Sequence, residues 1–500
     1  MPEPEANLAA QAEPAAVTAE LNEFESLLQK QFKPKTPHAR QAVETAVRTL
    51  AEQALAGSNL VSKDAISSIE AIIAELDRKL SEQVNLIIHH EDFRGLEGTW
   101  RGLHHLVSNT ETDEKLKIRV MNISKKDVGR VLKKYKGTAW DQSPLFKRVY
   151  EDEYGTPGGE PYGALIGDYH FDHSPPDVEI LTGMGQIAAA AHAPFISAAN
   201  ASLMNMETWQ ELGNPRDLTK IFQTPEYAPW RSLRDSENAK YLALTMPRFL
   251  GRLPYGAKTQ PVDEFDFEED TEGADHSKYT WCNSAYAMGA NITRAFKLYG
   301  WCAKIRGAES GGMVEGLPCH TFPTDDGGVD MKCPTEIAIT DRREAELGKA
   351  GMMPLSHWKN TDYAVFVGGQ SLQKPQEYDD PDATANANLA ARLPYLFATC
   401  RFAHYLKCIV RDKIGSFKER DDMERWLNKW INQFVTTDPN ASDDAKSHYP
   451  LADAQVVVEE VAGNPGYYAS KFYLRPHYQL EGLTVSLRLV SKLPSAKGGK

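Results

Sequence analysis

The sequence predicts a mixed α/β chain of several domains that ends in β strands. Three observations carry that expectation. Residues 163–171, 185–191 and 194–199 read in turn as β-like, helical and β-like, which is the order of α/β layering. Two bulky amphipathic helices directly precede three β-like runs at the C-terminus, at 456–461, 467–475 and 483–489. A chain of 500 residues exceeds what one small core accommodates, so two to four domains are expected.

Composition excludes several classes. Hydrophobic content of 41% beside 25% charged residues is that of a soluble globular protein. The 56 basic residues are outnumbered by 69 acidic ones, for a net charge of −13. That argues against broad nucleic-acid binding, which needs a basic footprint, and leaves basic protein partners open. No run approaches the ~18–20 apolar residues of a membrane span. The start, Met1-Pro2-Glu3-Pro4-Glu5, has neither the positive nor the apolar region of a signal peptide. Cys282, Cys302, Cys319, Cys333, Cys400 and Cys408 are scattered without a C-x-x-C, so reduced thiols in a cytoplasmic protein are expected.

In chain order, the first twenty or so residues are rich in Ala, Glu and Pro and read as a disordered tail. Val43, Val47, Leu50, Ala54 and Leu55 line one helix face. Asp64 is placed to cap a second helix, in which Ile66, Ile69, Ile73, Leu76 and Leu80 step by three and four. The stripe is too short for a clear coiled coil and reads as an amphipathic core helix. Over 89–107, Phe93, Leu96, Trp100, Leu103 and Val107 share a helix face. Gly95, Gly98 and Gly102 lie roughly 200° around from it. Each glycine costs about 1 kcal/mol in a helix interior, so three of them suggest a backbone packed closely on that side. Glu97 and Arg101 stand at i, i+4, a pair worth only a few tenths of a kcal/mol. His89-His90-Glu91 lacks ligand spacing, so no metal site is expected there.

Leu116, Ile118 and Val120 alternate with Lys117 and Arg119, the pattern of a half-buried strand. Ser124 can cap a helix with Val128, Val131, Leu132 and Tyr135 inward. Its outer face carries Lys125, Lys126, Arg130, Lys133, Lys134 and Lys136, a solvated face or one that meets an acidic neighbour. Residues 263–275 hold eight carboxylates and read as an exposed flexible loop. Residues 278–304 read helical, 307–333 as a long loop, and 335–339 and 363–367 as strands, with Asp341 and Glu344 as a capping box. Residues 383–413 form a long helix that Pro394 kinks or begins. In 421–434, Met423, Trp426, Leu427, Trp430, Ile431 and Phe434 make a wide apolar stripe.

At the C-terminus, Ala462-Gly463-Asn464-Pro465-Gly466 is turn chemistry, so the first two runs form a hairpin. In the third, apolar and polar residues alternate strictly. A hairpin plus one strand is an incomplete sheet whose edges need partners. The strands either complete this chain's own core or pair with strands of neighbouring subunits; both readings stand at this point.

Catalytic signals are missing. Gly251-Arg252-Leu253-Pro254-Tyr255-Gly256-Ala257-Lys258 nearly spells a phosphate loop. Lys258 comes one place late, and Pro254 removes a backbone donor. No G-x-S-x-G elbow occurs. No catalytic residue, cofactor or metal is expected.

Several blocks, in order, carry a resemblance. They are Leu96-Glu97-x-x-Trp100-Arg101-Gly102-Leu103, Gly167-Asp168-Tyr169, Trp230-Arg231-Ser232-Leu233-Arg234, Pro247-Arg248-Phe249-Leu250-Gly251-Arg252, and Arg401-Phe402-Ala403-His404-Tyr405. With them the chain resembles the large subunit of the type VI secretion contractile sheath, the VipB/TssC/EvpB family, from about residue 40 onward. The resemblance implies a structural protein and not an enzyme. It implies a heterodimer with a small sheath subunit of the VipA/TssB type and sixfold helical rings of neighbouring protomers. It further implies an Hcp inner tube, a baseplate, an AAA+ unfoldase of the ClpV type that recycles the contracted sheath, and the bacterial cytoplasm as location. The alternative is a sheath protein of a phage-tail-like extracellular device.

The division expected from it has five parts. They are a disordered tail (1–38), a helical arm (39–88), an α/β sheath body (89–380) with an exposed acidic loop (259–278), a helical platform (381–450), and C-terminal strands (451–500). The resemblance assigns Leu96, Glu97, Trp100, Arg101 and Leu103 to a core helix motif. It assigns Val456, Val458, Tyr468, Phe472, Leu474, Leu483, Val485, Leu487 and Leu489 to intersubunit strands.

Overall fold

The computed structural model describes residues 65–214, 217–271, 273, 275–324, 326–414, 419–438, 440–461 and 468–479, with positions 38, 41 and 45 besides. The expected tail, most of the first helix, the 462–466 turn and the third terminal strand lie outside the described residues. The chain divides into two compact units, one of residues up to Phe93 with Leu253–Tyr279, the other of Arg94–Arg252 with the chain from Thr280 onward.

The first unit contains helix α1, Ala65–Ile88, where the three-and-four spacing places it. Its second part is the acidic stretch, exposed at Asp263, Glu264, Asp266, Glu268 and Asp270 but held at its middle. Phe267 and Glu269 are buried. The Tyr255 backbone N–H donates to the Glu269 carboxylate at 2.8 Å, and His89 Nε2 lies 3.3 Å from it. The Asn85 side chain donates to the Glu268 carbonyl at 3.0 Å and accepts from the Asp270 N–H at 2.9 Å. A buried carboxylate is tolerated where donors meet it, so this acidic stretch is anchored at its middle.

In the second unit the strands are β1 Leu165–Phe171, β2 Phe195–Ala199, β3 Leu242–Met246, β4 Phe249–Leu250, β5 Trp281–Cys282, β6 Met313–Val314, β7 Thr321–Pro323, β8 Val329–Met331, β9 Met352–His357, β10 Ala364–Phe366, β11 Leu451–Glu460 and β12 Tyr468–Pro476. Its longer helices are α2 Glu91–Ser108 (entering from the first unit), α3 Lys125–Lys134, α4 Pro175–Ala191, α5 Ser284–Tyr299, α6 Leu393–Arg411 and α7 Arg420–Ile431. The fold class is mixed α/β, as expected. A six-stranded sheet runs β1-β2-β3-β9-β10-β6. Its first four strands are parallel and the last two antiparallel. Phe195, Leu242, Leu244 and Met352 enter a core shared with α4. Ile196, Ala243, Met353 and Leu355 enter a second core shared with α5 and the start of α6.

Several expectations need correction. Residues 115–123 form no strand; the alternation is there, but Val120 is exposed. Residues 335–339 make only an isolated bridge, Phe249 to Thr335. The helix after them is capped by Thr340, whose hydroxyl accepts from the Arg343 N–H, and not by Asp341. The loop at 307–333 contains β6, β7 and β8. Pro394 begins a helix and kinks none: it sits in the first turn of α6, after a separate helix Pro381–Ala390. Ser124 caps α3 as expected. Lys125 of its basic face turns to Asp177 at 2.7 Å.

Helix α2 is inverted relative to its sequence pattern. A Cβ on Gly98 would lie 2.4 Å from the Trp281 carbonyl oxygen, and one on Gly102 would lie 2.4 Å from the Tyr286 ring. The helix therefore packs through its glycine face, where only hydrogen fits. Its apolar stripe points away: Leu96 is 58% exposed and Trp100 64%. "Core" is thus wrong for these two residues within this chain. Gly98→Ala is expected to lower unfolding stability by about 1–3 kcal/mol through overpacking. Gly95→Ala, with nothing within 4 Å, is expected to be neutral or to stabilise by up to about 1 kcal/mol. Paired denaturant melts check both.

Candidate assembly interface

The terminal hairpin stands on an aromatic platform. Trp301 stacks on Phe402 with ring centroids 4.4 Å apart, and Phe434 meets Trp301 at 5.3 Å and Trp430 at 5.2 Å. Leu427 and Ile431 of α7 complete this core, and Val456 and Val458 of β11 are buried in it. Each such burial stabilises by about 1.5–3 kcal/mol. Tyr468, Phe472 and Leu474 of β12 pack half-buried against the same core. The two strands pair antiparallel, with Val456 opposite Phe472 and Val458 opposite Ser470.

Helix α7 also closes one backbone edge of this pair. The Asn428 side chain accepts from the Val456 N–H at 2.9 Å and donates to the Val456 carbonyl at 2.7 Å. Glu424 accepts from the Val458 N–H at 2.9 Å. Val456 and Val458 therefore turn their backbone groups away from β12. Their opposite residues, Phe472 and Ser470, must turn theirs away from β11, as antiparallel geometry requires of non-hydrogen-bonded pairs. Among the described residues no strand pairs with that outer edge of β12. Beyond it the chain is pinned at Gln479. Its N–H donates to the Tyr395 hydroxyl, its amide donates to the Ala303 carbonyl, and its amide oxygen accepts from Arg306, each at 2.8 Å.

A second feature lies at Glu97. The backbone passes between the two units after Phe93, after Arg252 and after Tyr279. On the second unit's side of all three passages, residues converge on one carboxylate. Glu97 Oε1 accepts from Arg252 Nε at 2.6 Å and from Arg101 Nε at 2.7 Å. Glu97 Oε2 accepts from the Thr280 hydroxyl at 2.7 Å. Burial works to raise the Glu97 pKa, but the bonds from Arg252, Thr280 and Arg101 outweigh it and hold the carboxyl below its ordinary range.

On the far side of α2, Leu96, Trp100 and Leu103 line a groove of about 1720 Å³ together with residues 114–123 and the free edge of β1. The motif residues thus separate by face. Glu97 and Arg101 bind inside, while Leu96 and Trp100 look out. Leu483, Val485, Leu487 and Leu489 lie outside the described residues. Sequence reasoning missed Asn428, Glu424, Arg252, Thr280 and Gln479. Only the first two left a local sign, two polar residues four apart on the helix that carries the tryptophans.

Two family models match the chain: the EvpB/VC_A0108 tail sheath N-terminal domain over residues 70–373 and the EvpB/VC_A0108 tail sheath gpW/gp25-like domain over residues 382–493. The type VI secretion system sheath protein TssC1 of Pseudomonas aeruginosa is 72% identical over 487 residues, 97% of this chain and 98% of that protein. Among solved structures, the baseplate of the anti-feeding prophage aligns over 76% of this chain and 84% of that chain, at 10% identity and a TM-score of 0.37. Its contracted helical sheath aligns over 62% and 66%, at 11% identity and a TM-score of 0.27.

A carboxyl whose folded pKa lies below its unfolded value stabilises the fold at pH above the unfolded value. That contribution drains away as pH falls through the folded value. Stability is therefore expected to fall as pH drops below the ordinary 4.5, and Glu97→Gln is expected to flatten that part of the profile. Glu97→Ala, which removes the buried carboxylate that Arg252 and Arg101 both meet, is expected to cost about 3–5 kcal/mol at neutral pH. Denaturant melts across pH measure both effects.

Proposed function

The chain belongs to the EvpB/VC_A0108 tail sheath family, and from that premise we propose that it joins its neighbours through the outer edge of β12. It is a structural component of a type VI secretion contractile sheath. In our reading it forms a heterodimer with a small sheath subunit. The heterodimers polymerise in sixfold helical rings around an Hcp inner tube on a baseplate, in the bacterial cytoplasm. Contraction propels the tube and its spike, and an AAA+ unfoldase recycles the contracted sheath.

The observation that carries the joint is the one-sided edge: α7 side chains satisfy β11, and the N–H and C=O groups of Ser470, Phe472 and Leu474 face away from the hairpin. An edge strand of this kind accepts an added strand through backbone hydrogen bonds. The expectation that both strands of the hairpin take foreign partners is thereby narrowed to β12. The small subunit is proposed to cover the groove beside Leu96, Trp100 and Leu103, because its walls include an edge of β1 and the stretch 115–123, neither of which pairs with a strand among the described residues. No described helix is long and apolar enough to cross a membrane. In this reading the work of contraction comes from repacking between subunit bodies, so the chain needs no nucleotide site.

Proline is tolerated on the outer edge of an edge strand. Ser470→Pro is therefore expected to leave the hairpin and the heterodimer intact while abolishing long sheaths. Electron microscopy of the co-expressed subunits reads this out; tubes of ordinary length would remove β12 from the joint. Trp100→Glu is expected to leave the isolated chain folded and to lose co-purification with the small subunit. Retention of a one-to-one complex would place that subunit elsewhere.

A further inference from the structure

Cys319 and Cys333 stand just outside the same end of the β7–β8 pair, each two residues beyond its last paired position. Strands β7 and β8 pair with Thr321 against Met331 and Pro323 against Val329. The register continues outward, where the Lys332 N–H donates to the His320 carbonyl at 2.7 Å. The paired strands end at Thr321 and Met331, and this one bond carries the same register a step further, toward Cys319 on one side and Cys333 on the other. Opposed antiparallel positions hold their Cα atoms about 4.5–5.5 Å apart, inside the ~4.4–6.8 Å range that a disulfide spans, so the register continued by one position brings the two cysteines within reach of each other. Both thiols are free and half-buried.

A histidine faces the same point. His357 Nε2 donates to the Thr361 carbonyl at 2.9 Å, which fixes the ring and leaves Nδ1 to accept from a thiol. Cys319 Sγ lies 3.8 Å from that same carbonyl. Cys333 Sγ lies 3.3 Å from the Thr335 hydroxyl.

We propose that Cys319 and Cys333 are a redox-responsive thiol pair, oxidised to a disulfide by peroxides, with Cys333 as the attacking thiol and Cys319 as the resolving one. The two thiols differ as the roles demand. Burial works to raise the Cys333 pKa, but hydrogen bonds with His357 and with the Thr335 hydroxyl and backbone outweigh it and bring it below the usual thiol range. Burial, the Asp362 carboxylate and Cys333 itself raise that of Cys319. The thiolate is the nucleophile, so the lowered thiol reacts first.

In the first step the Cys333 proton passes to His357. The sulfur attacks one peroxide oxygen, and the O–O bond breaks. The leaving oxygen takes the proton from His357, and two electrons pass from sulfur to the peroxide, giving a sulfenic acid on Cys333. In the second step Cys319 attacks the Cys333 sulfur. The S–S bond forms, the S–O bond breaks, and hydroxide leaves as water with the Cys319 proton. The product clamps the base of the β7–β8 hairpin.

The test uses the full chain, reduced and then freed of reductant. Trypsin cleavage after Lys332 separates the two cysteines. Treatment with hydrogen peroxide is expected to yield a Cys319–Cys333 linked peptide by mass spectrometry. Before oxidation, iodoacetamide at neutral pH is expected to label Cys333 about tenfold faster than Cys319. Cys319→Ser is expected to leave a sulfenic acid on Cys333 that dimedone traps. His357→Gln is expected to slow Cys333 labelling about tenfold, toward the rate of an ordinary thiol. Loss of both thiols to peroxide without the linked peptide, or equal labelling of Cys319 and Cys333, overturns the proposal.

Discussion

A strand presents two rows of backbone donors and acceptors, and each row must find partners or face water. The terminal hairpin resolves this unequally. One row of β11 is spent on β12. The other is taken by Asn428, which both accepts from and donates to Val456, and by Glu424, which accepts from Val458. Those two side chains imitate a strand without being one. They fix the hairpin to α7 in orientation as well as in position, which the apolar contacts of Val456 and Val458 alone do not do. The far row of β12 is paired with no strand among the described residues.

Much of this was legible in the sequence, and the failures share a cause. The hairpin was visible because Gly463, Asn464, Pro465 and Gly466 punctuate two β-branched and aromatic runs. The platform was visible because Trp426, Leu427, Trp430 and Ile431 make a broad stripe. Strands β3 and β9 were not visible. Leu242, Ala243 and Leu244 feed two different cores, and a strand buried on both faces loses the alternation that would reveal it. Residues 115–123 fail in the opposite way. They alternate, but alternation reports a preference for two environments and says nothing about a hydrogen-bonding partner.

Helix α2 shows how far periodicity reaches. Phe93, Leu96, Trp100, Leu103 and Val107 do share a face, yet the face pressed against this chain is the glycine one. Glycines that cost about 1 kcal/mol each in a helix were the better guide to contact, and the apolar stripe marked surface left for something else. Glu97 looked like half of an ordinary surface pair with Arg101. Its stronger partners, Arg252 and Thr280, are 155 and 183 residues away, a separation that no local pattern encodes. Only the family resemblance tied the Arg252 block to the α2 block, and it did so without a reason. The reason is a single carboxylate within the second unit that ties α2 to Arg252 and Thr280.

Glu97 and the hairpin belong to one mechanical argument. A subunit that transmits force through a polymer must not yield where its own segments cross, and its connections must survive a change of neighbouring surfaces. Buried charge with several partners serves the first need, because pulling Glu97 away from Arg252, Arg101 and Thr280 leaves a buried charge uncompensated. Backbone pairing serves the second. Its hydrogen bonds run along a strand and depend little on which side chains face outward, so bodies can rotate about a paired edge without breaking it. Side-chain surfaces such as the one around Leu96 and Trp100 have the opposite property: they are specific to one fit. The proposed placement of a permissive joint at β12 and a specific surface on α2 would separate staying connected from being correctly docked, a separation that a sheath needs if it changes its packing while remaining whole.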